Sequence, residues 1–385
     1  MLFSHISDLH LGLIQYGLKE RENDIYNSFK QSIDISIKDH VDFVIFSGDI
    51  FHTPNTTGTA MIHLANELRL LKNNNIESFF ILGEHDISRI RSTPIPFVYN
   101  NLGFSRYIGN GKPIYYKDIM LTGFDKIRKN EMSYYEKKFN EVNLIASRYS
   151  GHKILVMHQA INEINKFSGE LNSTDLPNNF TYYAMGHLHD KYIKKWNHLH
   201  GPISYPGSIE LTSSEGVKNT KKGFCEVDAS KKEVEVNWIK LDTRPQMSFS
   251  VSYDELSTSI HEIVKKINNY YLKPIVELKI TGKKIENDVI QKHISEIFKC
   301  ALLCFWKIME NHKDYGATIY NDKPVSVDEE LLKLAIKSTN EEIAKFAINE
   351  LLPLLSINNL EEAQILISEN YTKFKSNNDT SNRIK

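Results

Sequence analysis

Cysteine is nearly absent from this sequence: Cys225, Cys300 and Cys304 are the only three in 385 residues. That number excludes a disulfide framework and points to a reducing compartment. Cys300 and Cys304 lie four apart in a predicted helix, where two buried free thiols are the expected state. Long apolar runs are missing as well. None reaches the ~18 residues that a membrane span requires, and the chain opens on a strand-like segment without the basic region and apolar core of a signal sequence. A cytoplasmic protein with no membrane partner is the expectation. Charge of either sign is not in excess, since 47 Lys+Arg face 48 Asp+Glu for a net charge of -1. A basic field over the whole protein is thereby excluded. Any hold on nucleic acid must come from local patches or bound metals. No fixed-period repeat is present.

What is there supports two or three domains around a sizeable core, with 41% apolar residues. Apolar runs at Leu2–Ser7, Val41–Ser47, Ser78–Leu82, Ile154–Met157 and Tyr182–Met185 read as strands. Between the first and second, Ile25, Phe29, Ile33 and Ile37 mark one face of a helix over Arg21–Lys38. Met61, Leu64, Leu68 and Leu71 follow helical spacing in the next interval. This alternation predicts an α/β core. After about Ser204 the texture changes. Strands are predicted at Gly223–Asp228, Glu233–Leu241 and Met247–Val251, with Arg244-Pro245 as a boundary. Helix Asp254–Tyr270, strand Ile275–Ile280 and helix Glu286–Lys299 then make a small α+β second domain. Two amphipathic helices, about Asp328–Leu355 and Asn359–Lys373, precede a polar tail expected to be disordered.

Five short motifs carry the chemistry: Asp8-Leu9-His10-Leu11-Gly12, Gly48-Asp49-Ile50-Phe51-His52, Gly83-Glu84-His85-Asp86, Met157-His158 and Gly186-His187-Leu188-His189. Each follows an apolar strand, and in α/β sheets ligands gather beyond the carboxyl ends of the strands. The seven plausible metal ligands are Asp8, His10, Asp49, Glu84, His158, His187 and His189. One ion takes three or four such groups, so seven fit two ions sharing a carboxylate. Mixed carboxylate and imidazole ligands suit manganese, iron or zinc better than calcium. A pair of ions about 4 Å apart is a standard device for phosphoester cleavage, because coordination lowers the pKa of water towards neutrality. His85 and His52, beside these ligands, are the candidate catalytic residues for a leaving-group proton or transition-state charge. Any one motif alone is weak. The ordered set is not.

That order, with HISDLHLG at the start and YPGSIE at Tyr205–Glu210, resembles the calcineurin-like metallophosphoesterase superfamily. Within it the chain is most similar to the DNA double-strand-break repair nucleases of the SbcD and meiotic-recombination-eleven type. The resemblance implies a two-sheet sandwich flanked by helices as a nuclease domain over 1–245. It implies a DNA-facing capping domain over 246–322, C-terminal helices over 323–373 that bind a coiled-coil SMC-like ATPase, and a tail over 374–385. It implies two Mn2+ per chain, one held by Asp8, His10, Asp49 and His189, the other by Asp49, Glu84, His158 and His187, with Asp49 bridging. The implied activity is a 3′-to-5′ exonuclease and a single-strand or hairpin endonuclease, working as a homodimer near the nucleoid of a prokaryotic cell. The competing expectations are a phosphoesterase for small phosphodiesters and a scaffold that binds metal and DNA ends without cleaving them.

One departure matters. The family motif usually reads GNHD where this chain has Glu84. Three carboxylates against two divalent ions leave a formal charge near +1, so tighter metal binding and weaker phosphate attraction are expected. Candidate DNA contacts are Lys126, Arg128 and Lys129; Lys191, Lys194 and Lys195; Lys218, Lys221 and Lys222; and Arg89 and Arg91. Met61, Leu64, Leu68 and Leu71 either pack on the sheet or join Phe97, Val98 and Leu102 in a dimer contact.

Overall fold

The computed structural model describes residues 1–88, 93–128, 131–165, 169–212, 215–282, 285–309, 341–352, 364, 366–368 and 370. The chain divides into two units, 1–311 and 312–385. In the first, β1 (Leu2–Ile6), β2 (Phe43–Ser47), β3 (Glu77–Ile81) and β4 (Arg106–Tyr107) run parallel, and antiparallel β11 (Gly223–Asp228) and β12 (Glu235–Lys240) extend the sheet beyond β1. A second sheet is ordered β5 (Ile114–Tyr116), β6 (Ile119–Phe124), β7 (His152–His158), β8 (Tyr182–Gly186), β10 (Pro202–Tyr205), β9 (Tyr192–Lys195), with β6, β7 and β8 parallel.

Strand alternation decides what each sheet buries. On β2, Phe43 and Ile45 turn inward to meet Phe3, Ile154, Val156 and Tyr182, forming the core between the two sheets. Val44 and Phe46 turn outward, against Ile25, Phe29 and Ile33 of α1 (Lys19–Lys38) and Leu64 and Leu68 of α2 (Gly58–Asn73). The second sheet is covered on its outer face by Phe139, Val142 and Ala146 of α4 (Met132–Arg148). Each large apolar side chain so buried contributes about 1.5–3 kcal/mol. The two-sheet sandwich flanked by helices is thus as the family resemblance implies. Leu64, Leu68 and Leu71 are core residues, whereas Val98 and Leu102, on and just after α3 (Phe97–Asn101), are exposed.

A third, smaller sheet holds β13 (Gln246–Ser252), β14 (Ile275–Thr281) and β15 (Leu303–Met309), all parallel. Helices α5 (Leu256–Ile267) and α6 (Asn287–Cys300) connect them and pack through Ile260, Ile263, Ile290, Ile294 and Ile297. The pattern is β-α-β-α-β: the strand, helix, strand and helix expected over 247–299 are present in that order, and β15 follows them. Cys304 lies on β15 and Cys300 ends α6, so the two thiols do not share a helix. A run with the composition of Leu303–Met309 is short enough to continue a helix or start a strand, and periodicity does not separate the two.

The small sheet is tied to the sandwich by a buried ion network. Arg21 of α1, fully buried, donates to Asp24 Oδ2 (2.7 Å), Gln15 Oε1 (2.9 Å) and Leu211 O (3.1 Å), and lies 3.2 Å from Glu210. Arg244 answers with two bonds to the same Asp24 (2.6 and 2.9 Å) and one to Lys273 O (2.7 Å). The Arg244-Pro245 boundary is therefore held against α1. In the second unit, α7 (Glu341–Lys345) runs into a wide helical turn, Phe346–Leu351. Most of the two predicted C-terminal helices, including Leu331, Leu332, Leu334 and Ile336, together with Arg89, Arg91 and Lys129, lies outside the described residues.

Candidate metal centre

All five motifs emerge at the carboxyl ends of parallel strands: Asp8 after β1, Asp49 after β2, Glu84 after β3, His158 at the end of β7, and His187 after β8. The strand ends are close because Gly48 and Gly83 carry no side chain. A Cβ on Gly48 (φ +92°) would lie 2.4 Å from His158 Nδ1, and one on Gly83 would lie 2.1 Å from Asp49 Oδ1. Asp8 (φ 52°), His10 (46°), Asp49 (50°) and His187 (94°) are left-handed, which is uncommon for residues other than glycine. Such outliers concentrate at functional sites. Backbone bonds hold them: Asp8 N to Gly48 O (3.2 Å), His10 N to Asp49 O (3.0 Å), His52 N to Leu11 O (3.1 Å) and His187 N to Asp8 Oδ1 (3.1 Å).

The seven residues converge. His158 Nε2 lies 2.9 Å from Glu84 Oε2, 3.4 Å from Asp49 Oδ2 and 3.9 Å from Asp8 Oδ1. His187 Nδ1 lies 2.7 Å from Glu84 Oε1. His10 Nε2 lies 3.1 Å from His189 Nε2 and 3.8 Å from Asp49 Oδ2, and His189 Nε2 lies 4.0 Å from Asp8 Oδ1. Ligand atoms within 4.8 Å of one another form the sets Asp8–His10–His189, Glu84–His158–His187, Asp8–Asp49–His158, Asp49–Glu84–His85 and His10–His52–His85. Asp49 and Asp8 each recur in two of them.

The arrangement fits divalent cations. Glu84 Oε2 and His158 Nε2 lie 2.9 Å apart and buried, yet neither has a hydrogen-bond partner among the described residues. Tautomers agree. His158 Nδ1 faces the carbonyl of Ser47 (2.7 Å), and His85 Nδ1 that of His52 (2.8 Å). A carbonyl only accepts, so each Nδ1 carries the proton and each Nε2 is left for a ligand. His189 Nδ1 faces Thr212 Oγ1 (3.1 Å), whose hydroxyl donates to Glu215 Oε2 (3.2 Å). A carboxylate standing behind an imidazole in this way fixes its orientation and raises its basicity as a metal ligand. The 3.1 Å between His10 and His189 nitrogens is within the span of two nitrogens each about 2.1 Å from one ion.

Electrostatics within the metal-free chain point the same way. Burial pushes the Glu84 carboxyl up, but the His158 and His187 imidazoles outweigh it and hold it well below the carboxylate range. Burial likewise opposes ionisation of Asp49, and His158 overrides it to bring the group to about 2. Burial disfavours a charged His158, yet the Asp49 and Glu84 carboxylates raise it well above an ordinary histidine. His189 is raised against its burial by Glu215 and Asp8. Burial lowers His10 and His52 and raises Asp8. The acids thus favour a protonated His158 and His189, a pull that a cation between them would share.

Asp86 completes the third motif in a role that its sequence position alone does not reveal. Nearly fully buried, it accepts from Ile50 N (3.1 Å), Phe51 N (2.9 Å) and Gly83 N (3.0 Å), joining the Asp49 and Glu84 loops. Burial and the Asp49 charge push its carboxyl up to about 7 against those three amides. Glu215 and Thr212 behind His189, and Glu170 beside Lys126, were likewise not legible. Their parts depend on contacts 23 to 44 residues away. An aspartate three residues after a motif glycine was the one available signal. Among the candidate DNA contacts, Lys222 is buried against Glu215 and His189 O, and Lys218 and Lys195 pair with Asp190 and Glu233. Lys191 stands over the Trp238 ring (4.7 Å).

A family profile described as calcineurin-like phosphoesterase matches residues 1–191. Proteins described as DNA double-strand break repair protein Mre11 are similar along most of the chain. The one from Sulfolobus acidocaldarius is 29% identical over 356 residues, covering 88% of this chain and 87% of its own length. That of Saccharolobus solfataricus is 30% identical over 308 residues, 77% and 80% of the two chains, and that of Methanocaldococcus jannaschii 32% identical over 287, 73% and 76%. A sandwich that gathers these five motifs at one rim, with relatives this similar over this length, places the chain in the Mre11 family of calcineurin-like phosphoesterases.

Proposed function

We propose that this chain is a manganese-dependent nuclease that trims DNA double-strand breaks, as a 3′-to-5′ exonuclease on duplex ends and an endonuclease on single strands and hairpins. Family membership makes it a metal-dependent phosphodiesterase, a nuclease of double-strand break repair. The finer reading rests above all on seven dispersed side chains converging on one pocket with unpaired ligand atoms. In it, Asp8, His10, Asp49 and His189 hold one Mn2+ and Asp49, Glu84, His158 and His187 a second. Bound ions polarise a phosphate and activate water for attack on it.

The chain's own residues do the rest. His85 is the proposed catalytic residue at the leaving oxygen. Its Nδ1–H is committed to His52 O, so Nε2 alone is available to hold or pass a proton. His52 stacks on His85 (5.2 Å between centroids) and lies 3.4 Å from His10 Nδ1, which places it to stabilise charge from the other flank. DNA is the substrate, with phosphate contacts that set no sequence preference. A homodimer forms through the exposed Ile62, Val98 and Leu102, where Tyr99 OH bonds Met61 O (2.8 Å) and seats α3 on α2. Residues 323–373 bind a coiled-coil SMC-like ATPase.

Incubation of linear duplex and hairpin DNA with manganese, magnesium or chelator tests this. Cleavage with manganese that chelator abolishes is expected. Preference for a small chromogenic diester over DNA would favour the small-substrate phosphoesterase. Metal-loaded protein that cuts nothing would favour the scaffold.

A further inference from the structure

Among the described residues, Lys126 borders the seven-residue pocket from within reach of its acids. Lys126 Nζ lies 2.7 and 2.8 Å from the two Glu170 carboxylate oxygens, 3.6 Å from Glu84 Oε2 and 3.4 Å from His187 Nε2. Its side chain is only 11% exposed. The backbone fixes its place: Lys126 N donates to Leu82 O (2.9 Å), and Leu82 N donates to Asp125 Oδ1 (2.8 Å). The loop after β6 is thereby fastened to the loop after β3 that carries Glu84. Glu170 is fixed in turn, its N–H donating to Ala160 O (3.0 Å) and its carboxylate accepting from Ala160 N (3.2 Å). The ammonium does not swing into solvent without stripping Glu170 of its cation.

Glu84 therefore faces two ways. Its Oε1 meets His187, while its Oε2, without a hydrogen-bond partner among the described residues, lies between His158 and Lys126. A carboxylate shared between an ammonium and a metal ion holds the ion less tightly, because the ammonium already neutralises part of the carboxylate charge that would otherwise face the ion. Lysine suits this task as a compact point charge. We propose that Lys126, clamped by Glu170, is a positioning residue that restrains the Glu84 carboxylate and loosens the hold on the ion that Glu84 faces. It keeps that ion exchangeable and offsets the third acid of the pocket, so a phosphate is still attracted. The inference rests on the reading of Glu84 as a metal ligand.

Because Lys126 acts through Glu84, its effect disappears when the Glu84 charge does. Manganese binding is measured by titration calorimetry on the full chain, native and as Lys126→Met, Glu84→Gln and the double variant, with melting in chelator as a folding control. Lys126→Met is expected to tighten the weaker ion about tenfold, a coupling ordinary for charged groups in contact. In the Glu84→Gln background the change stays within about twofold. No tightening in the native background, or an equal shift in both, overturns the inference while leaving the metal centre standing. Should Lys126→Met not fold, Glu170→Gln provides the second arm. It releases the ammonium towards Glu84 and weakens manganese binding, but only where Glu84 is intact, and no change overturns the inference. Native protein that binds no manganese overturns the metal reading and this inference with it.

Discussion

Thr212→Val isolates what the support behind His189 contributes. Valine keeps the shape of threonine and removes only the hydroxyl. Among the described residues, two hydrogen bonds go with it, the one that receives His189 Nδ1–H (3.1 Å) and the one given to Glu215 Oε2 (3.2 Å). Glu215 is not orphaned, because Thr212 N (2.8 Å) and Lys222 Nζ still donate to it. The cost in stability is then that of ordinary hydrogen bonds, about 1 kcal/mol. The metal feels more. Losing such a support typically costs 10- to 100-fold in affinity. Here Glu215 Oε2 stands 3.5 Å from His189 Nδ1 and takes over after a small shift. The expected loss is therefore near the lower end, about tenfold or 1.4 kcal/mol. Manganese calorimetry, with Thr212→Ser as the variant that keeps the hydroxyl, provides the measurement. Native affinity in Thr212→Val would refute the relay. A stability loss above about 4 kcal/mol would show instead that the contact serves the fold.

The remaining expectations follow from the same geometry. Arg21→Met leaves Asp24 and Glu210 buried beside a missing charge and should cost about 3–5 kcal/mol in denaturant unfolding; a loss under 1 kcal/mol contradicts the network's role. His85→Ala should cut DNA cleavage by about 10²- to 10⁴-fold with manganese affinity nearly unchanged, and equal loss of both would make His85 a ligand. For pH, His158 and His189 titrate above the ordinary value of about 6.5 in the metal-free chain. Their ion pairs stabilise it fully below that value, and the contribution is lost as pH rises through the raised values. Ions displace those protons, so added manganese should raise the melting temperature more at pH 8 than at pH 6, and equal shifts at both would contradict the assignment. At a hundred times the dissociation constant the gain is about 2.7 kcal/mol, which chelator reverses.

Local chemistry made much of this legible in the sequence. Apolar runs ending in Ser-Asp, Gly-Asp, Gly-Glu, Met-His and Gly-His marked five strand ends, and ligands gather beyond the carboxyl ends of parallel strands, so convergence was the expectation. The stretch between Leu82 and Ile154 was not legible. It holds β5, β6 and α4, yet Ile119–Phe124 contains a threonine and a glycine and is flanked by polar turns, so its period is indistinct. Only pairing with β7 makes it a central strand. The residues supporting the centre were hidden for a related reason. Asp86, Glu215 and Lys126 look like surface charges until contacts distant in sequence bury them.

The backbone at the centre explains why the proposed ligands are the residue types they are. Four of the seven adopt left-handed conformations, and aspartate and histidine tolerate that region better than β-branched or bulky apolar residues. The same side chains thus serve as the proposed ligands and as the corners that let strand ends bend towards one another. The conformational cost is met by the packed core between the sheets, and by Asp86, whose three amide bonds lock two of the loops. A pocket held in this way exists before any ion arrives. Metal affinity then depends little on reordering the chain and mostly on charge, which is why single charged neighbours such as Lys126 and Glu215 have so much leverage over it.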